Sequence, residues 1–134
     1  MSDLEHARDL LAMASRDLPA LKGMLQIQLE NPAQEFFSDE IFGFHAQQAA
    51  EKILKARIAS HGGFYAKTHD LMALLNILID LGEDVTGLEE LVDLNTFAVQ
   101  YRYEAFGLED DKLDRPSLLA TVEALFKRMS NSLL

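Results

Sequence analysis

An arginine and an asparagine interrupt an apolar helical stripe made of Leu91, Asn95, Ala98, Arg102 and Ala105. A charge is costly to bury unless it is paired, so Arg102 must reach a carboxylate, a subunit interface or an anion. Its planar guanidinium suits phosphate in particular. His69-Asp70 is a second pair with chemical potential, at the expected start of a helix. Backbone N–H groups at such a point attract anions, and a histidine there could bind a ligand or move a proton. The plainer role is a helix end capped by Thr68 or Asp70, with His69 in the loop. His45, Lys52 and Lys55 form a polar stripe on another helix, able to add charge around a ligand or simply to meet solvent. Arg57 and His61, four residues apart, could meet at that helix's end.

Metal and phosphate-loop chemistry find no motif. The chain has no cysteine, and His6, His45, His61 and His69 show neither ligand-like pairing nor a Glu-x-x-His pattern, so no metal is expected. Gly-x-Gly-x-x-Gly, Walker and Gly-x-Ser-x-Gly patterns are missing as well, and no cofactor is expected.

The elements that must position these residues are helices. Ser2 with Glu5 makes a capping box, followed by Leu4, Ala7, Leu11, Ala14 and Leu18 at helical spacing until Pro19. Residues 20–30 are weakly amphipathic and predict a short helix or ordered connection that Asn31-Pro32 ends. Ser38 caps a second long helix over 39–60, stopped by Gly62-Gly63. At about 100° per residue, Phe42, Gly43, Ala46, Ala49, Ala50, Ile53 and Leu54 share one half of it, and His45, Gln48, Glu51, Lys52 and Lys55 the other. The small-residue half packs; the polar half is left for solvent or a ligand.

A third helix begins at Thr68 or His69 and ends at Gly82, and its run Leu71 to Leu81 is apolar enough to be buried on most sides. Thr86 with Glu89 opens a fourth helix toward Gly107, and Asp114 with Pro116 starts the last, carrying Leu118, Leu119, Val122, Leu125, Phe126 and Met129. Nothing alternates like a strand for long. The expected class is all-α, a single domain over 1–134 built as a bundle of four or five helices.

Composition narrows the function classes. Hydrophobic residues make up 49% of 134, enough for one core without staples. No apolar run approaches the roughly 20 residues of a membrane span, and Met-Ser-Asp-Leu-Glu lacks the regions of a signal peptide. A cytoplasmic protein without membrane contact is expected. The formal charge of −10 opposes non-specific grip on nucleic acid. It is unevenly spread: 45–67 holds four basic residues and one acidic, whereas 80–114 holds eleven acidic and two basic. The first region could draw a small anion or meet an acidic patch on a partner.

The segment Phe44-His45-Ala46-Gln47-Gln48-Ala49-Ala50-Glu51-Lys52-Ile53-Leu54-Lys55-Ala56, followed by His69-Asp70-Leu71 and Arg102-Tyr103, resembles the HEPN domain family of prokaryotes. The resemblance implies an up-and-down bundle of four or five helices, usually a homodimer, often acting with a minimal nucleotidyltransferase. Family members divide between metal-independent ribonucleases, frequently toxins of toxin–antitoxin pairs, and noncatalytic forms that bind nucleotides or RNA. The ribonucleases carry a histidine four to six residues after an arginine. Here Arg102 is followed by Tyr-Glu-Ala-Phe-Gly-Leu-Glu, with no histidine in range.

The resemblance therefore implies a noncatalytic bundle with an anion-binding cleft. Arg102 would grip phosphate, Lys52, Lys55 and His45 would border it, and His69, Asp70 or Tyr103 would contact base or sugar. One alternative is a metal-independent ribonuclease in which His69, His61 or His45 substitutes for the missing histidine. The other is a module in which Arg102 and Asn95 serve only contact between subunits or partners.

Overall fold

Ala7, Leu10, Leu11, Ala14, Leu18, Leu21 and Met24 recur at helical spacing and are all buried on one helix, α1 (Leu4–Glu30). The computed structural model describes residues 3–34, 37–65, 67–97 and 114–132. Two sequence expectations for α1 need correction. Asp3 rather than Ser2 is the cap, its side chain accepting the His6 N–H. The helix also does not stop at Pro19 but runs through it for 27 residues. An interior proline removes one helical hydrogen bond at a cost of about 3 kcal/mol. Leu18 and Leu21 are buried on either side of it, and their packing keeps the helix continuous through it.

Helix α2 (Asp39–Ser60) has the expected bounds, with Ser38 accepting the Ile41 N–H. Its end is a Schellman turn: the Gly62 N–H bonds to Ala59 O at 2.9 Å and the Gly63 N–H to Ile58 O at 3.0 Å. Gly62 takes the left-handed φ of 71° that this turn requires. The Asp3 N–H reaches Ala59 O at 2.9 Å, which sets the start of α1 beside the end of α2 and makes the two antiparallel.

From that turn the chain runs back along α2 instead of away from it. Gly63 makes this return possible, because a Cβ there would lie 3.0 Å from both Ile58 Cγ2 and Leu81 Cδ1 and 3.2 Å from Ile58 O. We expect Gly63→Ala to lower stability by about 1–2 kcal/mol through overpacking, read as a fall in urea midpoint at constant slope. An unchanged midpoint would show that the two side chains yield freely.

Helix α3 (Leu71–Asp80) starts level with the middle of α2 and is capped by Asp70, which accepts the Met72 N–H. Leu71, Leu74, Leu75 and Leu78 are buried, while Met72 and Ile79 are exposed. Burial on most sides was expected; one face meets solvent. A 3-10 helix, Glu89–Phe97, descends beside α3, and the last helix, α4 (Arg115–Ser132), packs on α1 and α2. The core residues on α4 are Leu119, Val122, Leu125 and Met129, with Leu118 and Phe126 partly buried against them.

Helix α2 is the central element and packs against α1, α3, α4 and the 3-10 helix. The fold is an all-α bundle, with no strand among the described residues. No described helix is long and apolar enough to cross a membrane.

Candidate functional site

Because α2 is covered on several sides, its polar residues cannot all face water. Gln47 is fully buried and Glu51 only 5% exposed. This corrects the expectation of a solvated polar half: Glu51 is the hub of a buried network. Its Oε1 accepts from Gln47 Nε2 at 3.0 Å and lies 2.9 Å from His69 Nδ1. Its Oε2 accepts from Lys55 Nζ at 2.9 Å. Gln47 Nε2 also donates to the His69 carbonyl at 2.9 Å, and Gln48 Nε2 donates to Gln47 Oε1 at 2.8 Å. The return segment is thus held to α2 by both the side chain and the backbone of His69.

Burial by itself would raise the Glu51 pKa, but the hydrogen bonds from Lys55, His69 and Gln47 and the Lys55 charge outweigh it. The carboxyl is held below its ordinary range and is ionised at neutral pH. An ionised carboxylate only accepts, so His69 Nδ1 carries the proton of that bond and Nε2 is left as the basic nitrogen. The His69 side chain is 53% exposed. A half-exposed imidazole oriented by a buried carboxylate is suited to proton transfer.

Asp70 and Asn95 complete the far edge. Asn95 Oδ1 accepts the Leu71 N–H at 2.9 Å and its Nδ2 donates to Asp70 Oδ1 at 2.8 Å. The polar break in the apolar stripe is therefore a tether from the 3-10 helix to the start of α3. At the near edge, Lys55 Nζ stands 5.4 Å from the centre of the Tyr65 ring, and Tyr65 Oη lies 2.7 Å from His6 Nε2.

Of the residues expected in the site, Lys55, His69 and Asp70 come together. Lys52 is directed instead to Asp17 on α1, at 2.9 Å. His45 is half-buried, with its ring edge-on to Phe44 at 5.5 Å. Arg102 and Tyr103 lie outside the described residues. Arg57 and His61 do meet, through the Glu83 carboxylate that both contact. Burial would raise Glu83 too, but His61 and Arg57 hold it below its ordinary range.

Glu51, Gln47, Tyr65 and His6 were not among the expected site residues. The Gln47, Glu51 and Lys55 spacing of four gives a weak signal on a helix. Nothing local announces His6 and Tyr65, which are 59 positions apart. Among the described residues no group of three or more His, Asp or Glu side chains is arranged to hold a metal ion.

A family model described as "HEPN domain" matches residues 7–132. No curated protein and no solved structure matches the chain.

Proposed function

Because the chain belongs to the HEPN domain family over nearly its whole length, we propose that it is a noncatalytic member binding a nucleotide or an RNA phosphate beside the Glu51 cluster. Arg102 and Tyr103 are the principal ligand residues of this reading, with His69, Asp70 and Lys55 at the rim and Lys52 and His45 farther out. The protein acts as a homodimer with a minimal nucleotidyltransferase partner, in a system of toxin–antitoxin type. The observation that carries the noncatalytic part is the heptapeptide after Arg102, which holds no histidine. Losing positioned proton transfer costs roughly 10² to 10⁴ in rate.

Lys52 and Lys55 each already face a carboxylate, so they contribute directed N–H donors more than net positive charge. With a chain charge of −10, a mononucleotide fits better than a long polyanion.

Calorimetric titration with ATP tests the site. We expect binding by the wild type, weakened by about tenfold or more in Arg102→Ala, the scale of a charge-assisted phosphate contact. No binding, or binding untouched by the substitution, sinks the assignment. The nucleotidyltransferase and the dimer are read separately by co-purification and sedimentation.

One observation favours the ribonuclease as a second reading: Glu51 orients His69 Nδ1 at 2.9 Å while the ring stays half-exposed. In that case purified protein cleaves RNA without metal, and His69→Ala lowers the rate by roughly 10² or more. RNA intact after long incubation dismisses it.

A further inference from the structure

Phe64 is 93% exposed, far beyond any other large apolar side chain described. It borders a surface cavity of about 320 Å³ whose other walls are Asp3, His6, Tyr65, Ala59 and the Gly62-Gly63 turn. The turn and the return segment therefore carry an uncovered aromatic ring to the start of α1.

The other groups of this cavity are already organised. Tyr65 Oη and His6 Nε2 are 2.7 Å apart, and the two rings stack with centroids 6.3 Å apart and planes 19° from parallel. The Asp3 carboxylate caps α1 with one oxygen and belongs to the cavity wall. Carboxylate charge reaches this cavity: after burial, the charges of Asp3 and Glu51 push the Tyr65 phenol above its ordinary pKa. The chain charge of −10 adds a field of the same sign. An anion is disfavoured beside these carboxylates, and a purely apolar group would meet the Phe64 ring but not the Asp3 charge. A cation with a flat or compact head satisfies both the ring face and the carboxylate.

We propose that this cavity is a binding site for an organic cation, a guanidinium or ammonium group seated against Phe64 with Asp3 as its counter-charge. The group comes either from a free small molecule or from a basic side chain of a protein partner. The proposal does not rest on nucleotide binding at Arg102, and the two sites share at most the Tyr65 and Lys55 contact.

The test is titration of the full chain with butylguanidine, with its neutral isostere butylurea, and with an end-blocked Gly-Arg-Gly peptide. We expect butylguanidine to bind at least about tenfold more tightly than butylurea. Asp3→Asn keeps the helix cap, which circular dichroism verifies, yet it should weaken butylguanidine by about tenfold, the scale of a charge-assisted contact. Phe64→Ala should weaken it several-fold, and Phe64→Tyr should restore it. A peptide that binds more tightly than butylguanidine assigns the site to a partner's side chain; one that does not assigns it to a free cation. Equal binding of butylurea, or affinities unchanged in both Asp3→Asn and Phe64→Ala, overturns the proposal and leaves ATP binding at Arg102 unaffected.

Discussion

Glu51→Ala should lower stability by about 3–5 kcal/mol, the scale for removing one partner of a buried ion pair. The physical reason lies in what remains. Lys55, its side chain 13% exposed, is left as a charge without its carboxylate, and the buried Gln47 loses one of its two acceptors. His69 loses the bond that ties the return segment to α2 at its side chain. Thermal unfolding should move down by roughly 10 °C for a domain of this size. The double variant Glu51→Met with Lys55→Met should recover most of the loss, because apolar replacement of a buried pair is often neutral. If the double variant is as unstable as the single one, the charge left behind is not the cause.

The same carboxylate makes stability depend on acid. Glu51 and Glu83 both have folded-state pKa values below their ordinary range. A group depressed on folding contributes stability that is present above its unfolded pKa and lost as pH falls through the folded one. The wild type should therefore hold its stability at neutral pH and lose it below the ordinary glutamate range, from about pH 4.3 downward. Glu51→Gln should flatten that acid slope without abolishing it, since Glu83 continues to titrate. Denaturant midpoints measured between neutral and acid pH read both, and an unchanged slope in Glu51→Gln would refute the assignment.

Phe42→Ala should cost a similar amount, about 3–5 kcal/mol, by a different route. Phe42 is fully buried in the first turn of α2, and the Arg115 guanidinium lies 5.5 Å from its ring centre while pairing with Asp39 at 2.8 Å. Deleting the ring loses the transfer energy and leaves a cavity that close packing fills only in part. It also removes the apolar floor beneath the ion pair that joins α4 to α2. Phe42 lies more than two helical turns from Glu51 along α2. At a temperature where the variant is folded, ATP affinity should match the wild type. A stability loss below about 1 kcal/mol would mean that the site collapses on itself.

Much of the bundle was legible because its signals are local. Ser38 as a cap, Gly62-Gly63 as a stop and the small-residue face of α2 follow from the backbone chemistry of hydroxyl, glycine and alanine, and the bounds of α2 agree. Pro19 is where local reading fails, since a propensity penalty of about 3 kcal/mol is overridden by the burial of Leu18 and Leu21. Asn95 drew notice as a polar break in an apolar stripe, but its partner, the backbone at Leu71, could not be read from 24 positions away.

The sequence by itself determined that the chain is helical, that its long helices are amphipathic, and that Arg102 lacks a following histidine. Those properties reside in residue types and short spacings. Only the tertiary structure decided that Glu51, on the polar half of α2, is buried, because exposure depends on what packs against a helix from elsewhere in the chain. The return of residues 61–65 and 67–70 along α2 brings His69 to Glu51 and Tyr65 to Lys55 and His6, and it leaves Phe64 uncovered beside Asp3. A helix periodicity cannot encode that path; the close approach at Gly63 and the bonds to Glu51 fix it.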